Sequence, residues 1–204
     1  KKKKFITIAK DVINLEIKAL QKLKKSINNS FDNAVAQIAN CQSKIILCGV
    51  GKSGLIAAKI ASTLSSVGSP AYSLSANDCL HGDLGSITKK DVLILISNSG
   101  KSEEIVPIIK FANRNKIKLI GIVSKKKSIL YKASDIKILL PEVKESGLGV
   151  VPTSSTSIQL AIGDALAIAA LKKRQFSKFD FSRFHPGGNL GKQLKTVGDI
   201  MVLG

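Results

Sequence analysis

KIILCGVGKSG, residues 44–54, joins an apolar run to a glycine-rich turn and then to helix-forming sequence. Lys44 to Cys48 reads as a strand and Ser53 to about Val67 as the helix after it. The same grammar recurs downstream: AYSLS from Ala71, VLILIS (Val92 to Ser97), IKLIGIV (Ile117 to Val123) and DIKILL (Asp135 to Leu140) are strand candidates. Helical sequence falls between them, most clearly from Glu103 to Asn115, and a last helix runs from about Ser155 to Lys173. Strands apolar on both faces that alternate with helices predict an α/β three-layer sandwich, a five-stranded parallel sheet flanked by helices. Upstream, Val12, Leu15, Ile17, Leu20, Leu23 and Ile27 trace a helical stripe over Asp11 to Ile27. Ser30 is placed to cap a second helix that buries Phe31, Val35, Ile38 and Ala39. Residues 1–41 are thus expected to form a helical lead-in packed on the domain.

At 204 residues and 44% hydrophobic, the chain supports one ordinary globular core. No apolar run approaches the roughly 20 residues that span a bilayer, and KKKKFITIAK does not lead into a signal-peptide core. A soluble protein with no membrane partner is expected. Cys41, Cys48 and Cys79 are odd in number and lack metal-ligand spacing, which suits a reducing cytoplasm. The net charge of +18 raises nucleic acid as a partner. Yet only three of the 32 basic residues are arginine, and with 4% aromatics and no Trp there are few platforms for base reading or stacking. A lysine-rich solvated surface and no nucleic acid is the expectation, with a field that attracts small phosphorylated anions.

In open α/β sheets, ligands bind beyond the carboxyl ends of the strands, and three unusual loops fall there. GVGKSG (49–54) lets amides around Gly51 and Ser53 approach an anion at a helix start. Its G-x-G-x-x-G spacing also fits a dinucleotide site, although Asp78 lies too late for the ribose carboxylate. A phosphate-binding P-loop is excluded, because Ile46 stands where Gly is required. A tight strand-to-helix turn explains these glycines equally well. SNSGKSEE (97–104) offers Ser97, Asn98, Ser99 and Ser102 to a phosphate monoester, whereas a simple helix cap requires only one hydroxyl. PTSST (152–156) presents Thr153, Ser154 and Ser155, with capping and ligand binding both open. The only histidines, His81 in LHGDLG and His185 in FHPGG, sit beside glycine turns and suit proton exchange, with no metal set around either.

Taken together, KIILCGVGKSG, LHGDLG, ISNSGKSEEI, VPTSST, GDALA and FHPGGNLG resemble the sugar isomerase (SIS) domain of bacterial arabinose 5-phosphate isomerases. The resemblance implies a flavodoxin-like SIS fold over 42–194, and a 195–204 tail that leads into CBS modules in longer relatives. It implies interconversion of D-ribulose 5-phosphate and D-arabinose 5-phosphate toward Kdo, the sugar of lipopolysaccharide or some capsules. It further implies a cytoplasmic homotetramer with shared active sites, a pentose phosphate as the small-molecule partner, and no cofactor or metal. By motif, it assigns catalytic roles to Lys52, His81, Glu104, Glu145 and His185, the last from a neighbouring subunit. The chain departs from the pattern at Lys101 and Asp78, where relatives carry Glu, and in a shorter SGLGVV segment after Glu145.

Aldose–ketose conversion needs a base, an electrophile and a phosphate anchor. The serine loop would anchor the phosphate, Glu104 would carry the proton, Lys52 would face the developing oxyanion, and the histidines would assist ring opening. The competing expectations are a phosphosugar-sensing regulator without chemistry, a nicotinamide-dependent oxidoreductase, and an isomerase of another phosphosugar.

Overall fold

The computed structural model describes residues 4–185; the glycine-rich stretch after His185 and the 195–204 tail lie outside the described residues. In chain order the elements are α1 (Phe5–Ser26), α2 (Asn29–Ala39), β1 (Ile45–Gly49), α3 (Lys52–Ser66), β2 (Ala71–Ser75), α4 (Ala76–Cys79), β3 (Val92–Ser97), α5 (Ile105–Arg114), β4 (Lys118–Val123), α6 (Ile129–Ala133), β5 (Ile136–Leu139), α7 (Ser154–Lys173) and α8 (Lys178–Phe184). A 3-10 turn, Asp83–Ser86, precedes β3. The strands form one parallel sheet in the order β2-β1-β3-β4-β5.

Strand alternation sorts the core into two faces. Ile45, Leu47, Ile94, Ile96, Ile120 and Ile122 join Ile38, Ile60, Leu64, Ile158 and Leu166 beneath α2, α3 and α7. Ile46, Cys48, Leu93, Leu95, Leu119 and Val123 join Ile105, Ile108, Ile109 and Leu130 beneath α5 and α6. This is the expected three-layer sandwich. The β1-to-β2 crossover runs through α3 on one face, and the crossovers from β3 onward run through α5 and α6 on the other. The strand order therefore reverses between β1 and β3, the switch point where such sheets open a ligand crevice.

Several boundaries differ from the expectations. Helix α1 begins at Phe5 rather than near Asp11, because nothing in FITIAK breaks a helix. The cap of α2 is Asn28, whose side chain accepts from the Ser30 amide at 2.9 Å. Glu103 and Glu104 form a turn ahead of α5 instead of its first residues. Helix α8 was not expected; a capping box between Ser177 and Asp180 starts it. The expectation about spanning segments also needs correction: α7, with mean hydropathy 1.3, is long and apolar enough by length and composition to cross a bilayer. Its apolar breadth is explained by neighbours on several sides, since it packs against α1, α2 and α3.

Candidate active site at the switch point

Two parallel strands deliver the first two loops side by side. Gly49 of β1 is in register with Ile96 of β3, so Val50–Gly51 and Ser97–Gly100 leave adjacent strand ends. The glycine motif is a packing device: a Cβ on Gly49 would lie 2.8 Å from the Ser53 carbonyl oxygen, and one on Gly54 would lie 2.8 Å from that of Gly49. Close approach of strand and helix explains the first and third glycines without a dinucleotide.

Both helices that leave the switch point start uncapped. Gly51 precedes α3 and Glu104 precedes α5, and neither supplies a side-chain cap. By contrast Asn28, Ser75, Ser128 and Ser177 cap α2, α4, α6 and α8 with their own side chains. Uncapped starts of α3 and α5 leave backbone donors and the positive ends of two dipoles facing the crevice. Helix starts of this kind are able to hold an anion.

The serine loop is braced from behind. The buried Ser97 hydroxyl accepts from the Gly100 amide at 3.0 Å and lies 3.5 Å from the Ser102 hydroxyl. Asn98 is tied to the end of β4, where the Ser124 hydroxyl donates to its side-chain oxygen at 2.7 Å and the Ser124 amide to its carbonyl at 3.2 Å. Ser99 is exposed and accepts from the Lys101 amide at 3.3 Å. Gly100 has φ +63° and abuts Ser128 and Val123, so the loop tolerates no side chain there.

Lys52 is exposed and Glu104 half-buried, and neither side chain has a hydrogen-bond or ion-pair partner among the described residues. Glu145 is different. Its Oε2 accepts from the Thr153 amide at 2.9 Å, the Thr153 hydroxyl at 3.2 Å and the Ser155 amide at 3.3 Å. Burial pushes its carboxyl up, but the bonds from the Ser155 hydroxyl and from Thr153 outweigh that and hold it below the usual Glu range. Glu145 thereby caps α7 from across a loop, which accounts for Thr153 and Ser155. The hydroxyls of Ser146 and Ser154 are buried with no partner among the described residues. Ser53 donates to Oε1 of Gln159 on α7 at 3.1 Å, so its hydroxyl is committed within the chain.

The histidines stand apart from this group. His81 is exposed beyond α4, on the β2 flank of the same sheet end. There a cleft of about 330 Å³ is lined by Gly49, Gly51, Leu55, Ser75 and Asn77. His185 ends α8, stacked on Phe181 at 3.8 Å with Nδ1 2.8 Å from the Phe181 carbonyl oxygen. Helix α7 starts at the site, and its 20 residues carry the chain about 30 Å away before α8 begins. Phe176 there meets Gly68, just ahead of β2 at the opposite sheet end. A single chain therefore brings together the Lys52, Ser97–Ser102, Glu104 and Glu145 segments and leaves His185 remote. Sequence reasoning missed Ser124, Ser128 and Gln159. Only Gln159 left a signal, as a polar residue within an apolar helix pattern.

A family model described as SIS domain matches residues 37–169. Arabinose 5-phosphate isomerase KdsD of Yersinia pestis is 43% identical over 98% of this chain and 62% of its own length. KdsD of Escherichia coli strain K12 is 41% identical over the same shares. The chain thus spans about 62% of the curated relatives it matches. Among solved structures, E. coli CFT073 c3406 in complex with arabinose 5-phosphate superposes with a TM-score of 0.86 at 35% identity, over 89% of this chain and 97% of that one. With two uncapped helices at the β1/β3 switch point, and a family match that covers both their loops and the start of α7, the chain belongs to the SIS domain family.

Proposed function

We propose that this chain is an aldose–ketose isomerase that interconverts D-ribulose 5-phosphate and D-arabinose 5-phosphate through an enediolate. The observation that carries this is the pairing of an uncapped, hydroxyl-rich loop with an amine, Lys52, and a carboxylate, Glu104, that have no partner among the described residues, at one sheet end. The likeness to KdsD proteins and to a structure that holds arabinose 5-phosphate supports the pentose phosphate.

The phosphate sits on the α5 start with Ser97, Asn98, Ser99 and Ser102, so binding energy remote from the carbonyl fixes C1 and C2. The Glu104 carboxylate removes the C2 proton of the open-chain aldose. The C–H electron pair becomes the C1–C2 double bond, and the carbonyl oxygen takes the negative charge, which the Lys52 ammonium stabilises. The C2 hydroxyl proton passes to the C1 oxygen, and Glu104 returns the carbon-bound proton to C1 as the C2 carbonyl forms. Glu145 stays ionised under its three donated bonds, orders the α7 start and adds a fixed charge to the site. His185 of a neighbouring subunit and His81 serve ring opening in a homotetramer with shared sites. No cofactor or metal takes part, and the cytoplasmic product feeds Kdo synthesis.

Purified protein is incubated with D-ribulose 5-phosphate and the product identified by NMR. Accumulation of D-arabinose 5-phosphate is expected; a different aldose phosphate would favour another phosphosugar, and no conversion would favour a sensing role.

A further inference from the structure

Helix α7 carries a short polar stripe toward α3. Ser155, Gln159 and Gly163 are spaced by four residues and so lie on one helix face. Ser155 and Gln159 are 3% and 1% exposed, which leaves their polar groups dependent on partners inside the protein. Gly163 meets Ile60 of α3 so closely that a Cβ would collide with it. The two helices are therefore pressed together along this line, and a Lys59–Asp164 ion pair closes its outer side. Core packing this tight transmits displacement instead of absorbing it.

The two polar residues of the stripe each touch a candidate catalytic segment. Ser155 donates its amide to Glu145. One turn further on, Gln159 accepts from Ser53, the residue next to Lys52 in the first turn of α3. The first turn of α3 has no cap of its own, and Gln159 is its side-chain anchor in α7.

We propose that Gln159 is a positioning residue for the isomerase reaction: through Ser53 it fixes the Lys52 turn of α3 against the Glu145-capped start of α7. Gln159 touches neither substrate nor reacting atoms. It sets the separation of the Lys52 ammonium, at the start of α3, from the Glu145 carboxylate, which is held at the start of α7. This rests on the isomerase activity proposed above, and its loss shows in turnover more than in substrate affinity, because the phosphate loop belongs to α5 and is untouched.

The test compares wild type, Ser53→Ala, Gln159→Met and the double variant on pentose phosphate, with thermal midpoints recorded alongside. Methionine keeps the length of glutamine and removes the acceptor. Each single variant is expected to lower kcat about tenfold with KM within about twofold. The double variant is expected to be no slower than the singles, since both break one contact. Unchanged kcat in Gln159→Met, or losses that multiply in the double variant, would overturn the inference even if stability falls. A wild type without isomerase activity would defeat the proposed function alone. The coupling is then read from amide correlation spectra, where Ser53→Ala is expected to move the Thr153 and Ser155 resonances, and shifts confined to α3 would overturn it.

Discussion

The two ends of the parallel sheet treat polar groups in opposite ways. At the amino ends of β1 and β3, Asp91 is buried and saturated. It accepts from the Thr88 amide at 2.6 Å, the Thr88 hydroxyl at 2.9 Å, the Lys44 amide at 3.3 Å and the Lys44 ammonium at 3.1 Å. Asp135, though exposed, is also engaged at this end of β4, accepting from the Leu119 amide at 2.8 Å and pairing with Lys118. At the carboxyl ends, Lys52 and Glu104 have no partner among the described residues, two helices start uncapped, and two serine hydroxyls are buried unpaired. A fold can hide every polar group it keeps for itself. Buried hydroxyls and helix starts without partners, gathered around one crevice, are what a ligand could complete.

This contrast can be broken by exchanging what each end depends on. Glu104→Gln at the open end is expected to lower kcat about a thousandfold and abolish exchange of the C2 proton with solvent, while the fold keeps its unfolding midpoint. Retained exchange, measured by NMR in deuterated water, would remove Glu104 from proton transfer. Asp91→Ala at the closed end is expected to cost about 3 kcal/mol in urea unfolding, because the Thr88 and Lys44 donors lose a buried acceptor. Its KM is expected to hold, and a variant as stable as wild type would show that the closed end is not structural.

Acid sharpens the same contrast. Burial raises the Asp91 carboxyl, but hydrogen bonds from Ser43, Thr88 and Lys44 outweigh this and hold it at about 2. The folded value lies below the unfolded one, so the stabilisation is complete above the unfolded value near 4 and is lost as pH falls through about 2. Its size is about 2 kcal/mol. Unfolding midpoints from pH 6 to pH 2 are expected to fall less steeply in Asp91→Asn, and parallel curves would refute the assignment. The smallest effect is expected from Ser99→Ala, which leaves kcat intact and raises KM about fivefold by removing one exposed phosphate donor. An unchanged KM would place the phosphate elsewhere.

How much of this could be read from the chain depended on range. Strands such as VLILIS were legible because six buried residues in succession leave no solvent face to interrupt the apolar run. SNSG was legible because hydroxyls and glycine directly after such a strand fall at a sheet end by topology. The role of Glu145 was not. Its partners lie 8 and 10 residues away across a turn, and nothing in GLGVV says that the chain folds back on itself. Gln159 escaped for a related reason: its partner is 106 residues distant, and only the pairing of α3 with α7 reveals it. The extra helix α8 carried its signal locally, in Ser177 and Asp180, and the glycine-rich sequence after it drew attention away.

The most direct measurement is a crystal structure with D-arabinose 5-phosphate bound. The phosphate is expected on Ser97, Ser99 and Ser102 at the α5 start, with Lys52 and Glu104 against C1 and C2. A phosphate bound away from the serine loop, with those two side chains far from the carbonyl end, would contradict the account.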